Sequence, residues 1–142
     1  MWTKTFTKEY EMISKEAIWE AWVDVKNWPK WDSELEYCEI SSNFEKGAGF
    51  ILKPKGGPKV RLHLSEVVAN TRFTNYCKFF GAVMYDAHEL ETLPNGQVKV
   101  TNTITVKGPL SFIWVNLVAK NVAKSVPEQT DNLIEHVRKH YV

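Results

Sequence analysis

Residues 14–32, SKEAIWEAWVDVKNWPKWD, hold four of the six tryptophans of a 142-residue chain. Ser14 precedes a run of helix-forming residues, and its side-chain oxygen can accept from the first free backbone amides, so it predicts a helix start. Glu16 then falls in the first turn, where the helix dipole favours a negative charge. Asn27 can cap a second short helical turn, in which Pro29 fits because its missing N–H is not needed there. The stretch therefore predicts two short consecutive helices.

The four tryptophans form two pairs with helical spacing. Trp19 and Trp22 are three residues apart, as are Trp28 and Trp31, so the members of each pair share one face. Such rings either pack into a core or line a binding cavity. Core packing is the commoner role. One ring of each pair can pack against the end of the sheet while the other faces a cavity.

From residue 35 to residue 106 the apolar residues recur with the period of two that is typical of strands. An earlier strand is indicated at 3–12, where Phe6 and Tyr10 have polar neighbours. The sequence PNG at 94–96 predicts a hairpin with a type I′ turn, because Asn and Gly tolerate the positive φ of that turn. The six further strands are predicted at 35–42, 48–55, 59–69, 72–79, 83–92 and 97–106. Joined by short turns, they form an antiparallel meander.

Gly108 and Pro109 end the sheet and open a long amphipathic helix that reaches about residue 140. Pro127 predicts either a kink in that helix or, because Ser125 and Glu128 have capping-box spacing, a full break. A curved antiparallel sheet of about seven strands can bury such a helix on its concave face, with the two short helices closing one end. We therefore predict an α+β fold in a single domain. A cavity remains wherever the sheet curls more than the helix fills.

Composition and charge exclude several classes of function. The net charge is +1 and no run of basic residues occurs, so the chain lacks the electrostatic footprint of a nucleic-acid-binding protein. The most apolar run, residues 110–119, is about half as long as a membrane span, and the N-terminus has no apolar signal segment. Cys38 and Cys77 are isolated, as expected for free thiols in a reducing compartment. These features predict a cytoplasmic protein without a membrane span and leave its oligomeric state open.

Three stretches, in this order along the chain, are similar to one superfamily. Residues 14–32 resemble its opening helix and W-P-x-W turn, residues 88–109 (HELETLPNGQVKVTNTITVKGP) its last hairpin, and residues 125–137 (SVPEQTDNLIEHV) its kinked terminal helix. The chain thus resembles the START and polyketide cyclase-like superfamily (SRPBCC), whose helix-grip fold includes birch-pollen-allergen-like proteins. The resemblance implies a hydrophobic cavity for a small apolar or amphipathic molecule. It implies no single activity, because the superfamily includes lipid carriers, hormone receptors, aromatic cyclases, dehydratases and chaperone activators.

Strand alternation places three polar residues on a face that otherwise points inward. Asp86 and His88 share a face with Met84, and Asn102 shares one with the valines of the last strand. In a hairpin that turns at 94–96, His88 lies close to opposite Asn102. A buried imidazole beside a carboxylate can act as a general base or orient a carbonyl, so these three are the candidate catalytic residues. The alternative is a polar cluster that satisfies only itself, and a bulge would turn all three outward.

The inward faces of the first helices, the strands and the long helix supply the predicted ligand-binding residues. These are Trp22, Trp28, Trp31, Phe50, Leu62, Leu64, Met84, Leu90, Val100, Trp114 and Leu117. Glu66 continues the same alternation and is expected on the inner side, near the cavity rim. His136 and His140 have the spacing of two metal ligands on a helix, but no third ligand is indicated, so neither a metal nor a cofactor is expected.

Three functions are consistent with these features. The first is non-catalytic binding or transport of a small hydrophobic or amphipathic molecule. The second is an enzyme of the polyketide cyclase or dehydratase type, with His88 as acid or base. The third is a regulatory interaction module such as a chaperone activator, which an exposed apolar patch outside the cavity would favour. Because no complete catalytic constellation is evident, binding ranks first and enzymatic activity is left open.

Overall fold

The computed structural model describes residues 1–141 and has an α+β fold, in which a seven-stranded antiparallel sheet curves around a long C-terminal helix. The strands lie in the order β1-β7-β6-β5-β4-β3-β2, so β1 and β7 are neighbours although they are distant in sequence. The strands are β1 (Trp2–Tyr10), β2 (Leu35–Ile40), β3 (Gly49–Pro54), β4 (Val60–Val68), β5 (Arg72–Phe79), β6 (Ala82–Thr92) and β7 (Val98–Lys107). The predicted antiparallel meander is confirmed.

Two short helices follow β1, as predicted. The first, α1, spans Lys15–Val23, and the Ser14 side chain caps it by accepting from a backbone amide over 3.1 Å. The second is a 3₁₀ helix at Val25–Lys30. Asn27 lies inside this helix and does not cap it, because the helix begins directly after Asp24 ends α1. The four tryptophans of residues 14–32 are each at most 8% exposed.

The long helix is continuous through three segments. It is α-helical at Ser111–Trp114, π-helical at Val115–Ala119 and α-helical again at Lys120–His140. Pro127 lies inside the last segment, so the prediction of a full break is wrong. A π turn is equivalent to one residue inserted into an α-helix, and it therefore rotates the residues before it relative to those after it.

The junction between β7 and the long helix depends on two glycines. Gly108 has a φ of +125°, and a Cβ there would lie 2.5 Å from the carbonyl oxygen of Gly81. Gly81, in the turn between β5 and β6, has a φ of +74°, and its Cβ would lie 2.6 Å from the side chain of Leu110. Both backbone conformations disfavour L side chains, and both positions are tightly packed. A larger residue at either position would therefore push the helix away from the sheet.

A bulge in β4 changes the predicted direction of one side chain. The register with β5 shifts between Leu64 and Glu66, so that Glu66 pairs with Thr74. Thr74 alternates with the inward-facing Asn75, which places Glu66 on the outer face rather than inside the sheet. Its carboxylate forms a salt bridge with Arg72 there, with a separation of 2.9 Å.

The hairpin predicted at 94–96 joins β6 to β7, but its turn is not of type I′. The Gly96 amide donates to the Leu93 carbonyl over 2.9 Å, which makes Pro94 and Asn95 the central residues of the turn. Gly96 has a φ of +87°, whereas Asn95 is not in the positive-φ region. Pro94 holds its own φ negative, so a turn that needs two positive values cannot form at this position.

Apolar side chains form two clusters between the sheet and the helices. The cluster beneath α1 and the C-terminal half of the long helix includes Ile18, Trp22, Phe50, Phe73, Leu133 and Val137. The cluster beneath the N-terminal half includes Ile104, Val106, Val115, Ala119 and Val126. Met84 packs against both.

Candidate ligand cavity

A cavity of about 470 Å³ lies between the sheet and the long helix. The wall formed by the helix consists of Trp114, Val118, Val122, Ser125, Gln129, Thr130 and Leu133. The opposite wall comes from β3 to β7 and from the segment between α1 and β2. Pockets for small organic molecules have volumes of about 300–1,000 Å³. The cavity is therefore large enough for one such molecule.

Most of the predicted ligand-binding residues line this cavity. They are Trp22, Trp28, Trp31, Leu62, Met84, Val100 and Trp114. Three others, Phe50, Leu64 and Leu90, point inward but do not line it. Each of these is at most 5% exposed and belongs to the cluster beneath α1. Phe50, for example, packs edge-on against the Trp28 ring with centroids 5.4 Å apart. These three side chains are part of the core and not of the cavity wall.

Leu117 does not line the cavity either. It is 63% exposed, whereas Val118 lines the cavity one turn after Trp114. Val118 lies four residues after Trp114 and four before Val122, which also line the cavity, so these three share one face of the helix and Leu117 does not.

Exposed apolar side chains cluster around the start of the long helix. Phe112 and Leu117 are each 63% exposed, and Phe80, in the turn between β5 and β6, is 83% exposed. Trp114 connects the turn to the helix, since its Nε1 donates to the Phe80 carbonyl over 2.8 Å. Exposed apolar patches favour contact with another molecule, as an interaction module requires.

The prediction missed four cavity residues on β5. The inward face of this strand alternates with an outward one, and it lines the cavity with Phe73, Asn75, Cys77 and Phe79. Tyr76, on the other face, packs against Tyr85 of β6 with ring centroids 5.7 Å apart. The alternation of β5 was visible in the sequence. Once one of its side chains is known to point inward, the alternation gives the direction of all the others.

The hairpin of β6 and β7 places His88 directly opposite Asn102, without a bulge, as predicted. Asn102 Nδ2 donates to His88 Nδ1 over 2.8 Å. Because an amide NH₂ group can only donate, Nδ1 is the acceptor, and in the neutral ring the proton lies on Nε2. The imidazole stacks on Phe73 with centroids 4.4 Å apart and meets Trp22 edge-on at 5.5 Å. These contacts fix the orientation of the ring.

Asp86 lies on the same inward face of β6, opposite the buried Asn75. Its Oδ1 is 3.3 Å from His88 Nε2, but the two groups are not aligned for a hydrogen bond. Within residues 1–141, three buried side-chain atoms have no hydrogen-bond partner: Asp86 Oδ1, His88 Nε2 and Asn102 Oδ1. An unpaired buried polar atom costs about 1–3 kcal/mol. Since all three residues line the cavity, a bound molecule can supply the missing partners.

Polar residues connect the long helix to the segment that follows the 3₁₀ helix. Gln129 Nε2 donates to Asp32 Oδ2 over 2.6 Å, and the Glu34 amide donates to Asp32 Oδ1 over 3.1 Å. Burial raises the pKa of the Asp32 carboxyl, and the two hydrogen bonds oppose this rise. All three residues line the cavity, and Glu34 is exposed, so they form its polar rim.

The two cysteines are free and buried. Burial raises the pKa of the Cys77 thiol to about 11, and the charge of Asp86 adds to this rise. Burial also raises the pKa of the Cys38 thiol to about 12. Because the thiolate is the nucleophilic form, neither cysteine is an effective nucleophile at neutral pH.

His136 and His140 stand next to each other on the long helix, with ring centroids 4.6 Å apart. Burial and the neighbouring His140 both lower the pKa of His136. Across residues 1–141, no group of three or more His, Cys, Asp or Glu side chains is placed to hold a metal ion. No helix in this part of the chain is long and apolar enough to cross a membrane.

No protein-family model matches the sequence, and no curated protein matches it either. The structure, by contrast, is similar to solved structures of low sequence identity. A START superfamily protein from Mycobacterium smegmatis has a TM-score of 0.72 at 16% identity, over 96% of this chain and 97% of that one. Ara h 8.0201 has a TM-score of 0.67 at 18% identity, over 97% and 99%. Norcoclaurine synthase from Thalictrum flavum has a TM-score of 0.72 at 14% identity, over 97% and 88%.

This chain has the helix-grip fold. The fold that the sequence resemblance implied is thereby confirmed. These neighbours share the fold although their sequences are only 14% to 18% identical to this one.

Proposed function

We propose that this protein binds a small hydrophobic or amphipathic molecule in the cavity between the sheet and the long helix, without chemical turnover. The observation that carries the proposal is the cavity itself, a mostly apolar space of about 470 Å³ with three unpaired polar atoms in its wall. An empty space of this kind costs stability, because the side chains around it lack contacts on one side. A bound molecule restores those contacts and pairs the polar atoms.

The fold supports this proposal without deciding it. A START superfamily protein and a synthase are both among the similar structures, so the fold alone does not separate a binding protein from an enzyme. The cavity wall favours binding. Its thiol, Cys77, is protonated at neutral pH, and one nitrogen of His88 is already occupied by Asn102.

Native mass spectrometry of protein purified without detergent tests the proposal. We expect part of the protein to carry one small molecule that organic solvent removes. The stripped protein should then bind the neutral fluorophore N-phenyl-1-naphthylamine at one site. A Val122→Trp variant fills the cavity and should lose at least tenfold in affinity for the fluorophore. The proposal fails if the stripped wild-type protein does not bind the fluorophore, or if the variant binds it equally well.

An enzyme of the cyclase or dehydratase type is the second candidate, and the position of His88 favours it. The His88 side chain is 16% exposed and lines the cavity, so it is placed to touch a bound substrate. In the tautomer that Asn102 imposes, Nε2 carries the proton and can donate it to a carbonyl or to a departing hydroxyl group. The neighbouring Asp86 carboxylate is then the group that can accept a proton from carbon.

Dehydration of an aryl β-hydroxyketone tests this second candidate. Asp86 would remove the proton next to the carbonyl while His88 protonates the departing hydroxyl, and the products are an enone and water. Absorbance of the enone measures the rate. General acid catalysis contributes about 10²- to 10⁴-fold, so a His88→Gln variant should lose at least a hundredfold. Equal rates for the variant and the wild-type protein would exclude His88 as the acid.

A further inference from the structure

The charged residues that line the cavity are acidic. They are Asp32 and Glu34 at the rim and Asp86 in the wall, and no lysine or arginine of residues 1–141 lines the cavity beside them. The other titratable groups of the wall are the His88 imidazole and the Cys77 thiol. Charges act more strongly in a cavity with low-dielectric walls than in water. The field inside therefore attracts a cation and opposes a ligand that carries a carboxylate.

Two of the three unpaired atoms of the wall call for a hydrogen-bond donor, whereas His88 Nε2 is itself a donor. Asn102 is 5% exposed, and its Oδ1 has no partner because its Nδ2 is committed to His88. The Oδ1 of Asp86 is likewise unpaired. Both are acceptors, so a ligand group with two or more N–H bonds can donate to both. A carboxylate ligand would bring further acceptors to the same place.

Aromatic rings provide an apolar surface for the rest of the ligand. Trp22, Trp28 and Trp31 all line the cavity. Trp28 Nε1 donates to the Trp22 carbonyl over 3.0 Å, which fixes the Trp28 ring beside that of Trp31, with centroids 5.9 Å apart. Tryptophan rings bury large apolar areas, so they favour an apolar body beside the charged group of the ligand.

We propose that the ligand is a small amine, whose nitrogen is held by Asp86 and Asn102 and whose apolar body fills the space between the tryptophans and the long helix. This inference rests on the proposed binding function and names the chemical class of the ligand. In this proposal, Asp86 is the residue that selects a ligand with a positively charged end over a neutral or negatively charged one.

Competition among three ligands with the same tail tests the inference. N-phenyl-1-naphthylamine is bound first, and 1-decylamine, 1-decanol and decanoate then displace it at pH 7. We expect decylamine to compete at least tenfold better than decanol, and decanoate to compete worst. In an Asp86→Asn variant, decylamine and decanol should compete within about threefold of each other. The matched control is Glu89→Gln, an exposed position on β6, which should keep the wild-type order.

The outcomes separate this inference from the function on which it rests. If the fluorophore does not bind to wild-type protein, the proposed binding function itself fails. If the fluorophore binds but the three head groups compete equally, or decanoate competes best, the cavity binds apolar molecules and the amine inference is overturned. An unchanged preference for decylamine in the Asp86→Asn variant would also overturn it. Circular dichroism establishes that each variant is folded.

Discussion

The contacts of His88 determine which of its nitrogens a ligand can reach. Phe73 stacks on the ring and Asn102 occupies Nδ1, so Nε2 is the nitrogen left for a ligand, and it lies beside the Asp86 carboxylate. A fully paired polar cluster would contribute to the stability of the core. This cluster leaves three atoms unpaired, and proteins commonly accept such a cost where a site must bind something.

Replacing Asp86 therefore should not destabilise the unliganded protein. The Asp86 side chain is 20% exposed and its Oδ1 is not aligned for a hydrogen bond with His88, so the substitution breaks no well-formed contact at that atom. We expect Asp86→Asn to raise the free energy of unfolding by about 1 kcal/mol in urea denaturation. A loss of more than about 1 kcal/mol would show that Asp86 is a structural group, contrary to its assignment as a ligand contact.

At the scale of elements, one face of the long helix contacts the ligand, and this face continues through the π turn. Val118 lines the cavity, whereas its neighbour Leu117 is exposed. We expect Val118→Ser to weaken binding of N-phenyl-1-naphthylamine about three- to tenfold, since it replaces an apolar contact by a hydroxyl. Leu117→Ser is the matched control and should leave the affinity unchanged. The reverse order would mean that the helix presents a different face to the cavity.

The long helix is also attached to β1 through Asp131. Asp131 Oδ1 accepts from Lys8 Nζ over 2.8 Å and from Tyr10 Oη over 2.7 Å. The Lys8 and Tyr10 hydrogen bonds hold the pKa of the Asp131 carboxyl below its usual range. A carboxyl with a lowered pKa stabilises the folded state above its unfolded-state pKa of about 3.9, and this stabilisation is lost as the pH falls through the lowered value.

The difference in unfolding free energy between the wild-type protein and Asp131→Asn should follow the same pH dependence. We expect it to be constant from pH 7 to about pH 5 and to shrink below about pH 4. Because both charged side chains are about half exposed, the difference should stay below about 1 kcal/mol. Urea denaturation at several pH values measures it. A difference that grows toward low pH would contradict the role of Asp131 as an ionised acceptor.

The elements themselves were largely predictable from the sequence, because hydrophobic periodicity, turn glycines and capping residues are local signals. The bulge in β4 and the π turn were not. Each inserts a single residue, and the apolar pattern around Glu66 or Leu117 reads equally well with or without the insertion. Hydrogen bonding to the neighbouring strand, or packing of the helix against the sheet, decides the register.

At the scale of the whole molecule, the pattern identifies inward faces but does not separate core from cavity. Phe50 and Leu62 both point inward from neighbouring strands, yet Phe50 is buried against Trp28 and Leu62 lines the cavity. The difference depends on how far the sheet curls away from the helix. It also depends on which rings fill the space between them, and that is a property of many side chains together.

The two apolar clusters place the cavity within the molecule. One cluster packs the end of the sheet that α1 closes, and the other packs the start of the long helix. Neither fills the space that Met84, Val100 and Val122 line. The central claim is that this space is where a ligand binds.

The indole N–H signals of the six tryptophans test that claim most directly, in ¹H–¹⁵N spectra recorded while 1-decanol is added. Trp22, Trp28, Trp31 and Trp114 line the cavity, whereas Trp2 lies on β1 outside it and serves as the internal control. We predict that the signals of the four cavity tryptophans shift together and saturate at one decanol per protein, while the Trp2 signal stays in place. If the four signals do not move, or if Trp2 shifts as much as they do, decanol is not bound between the sheet and the long helix.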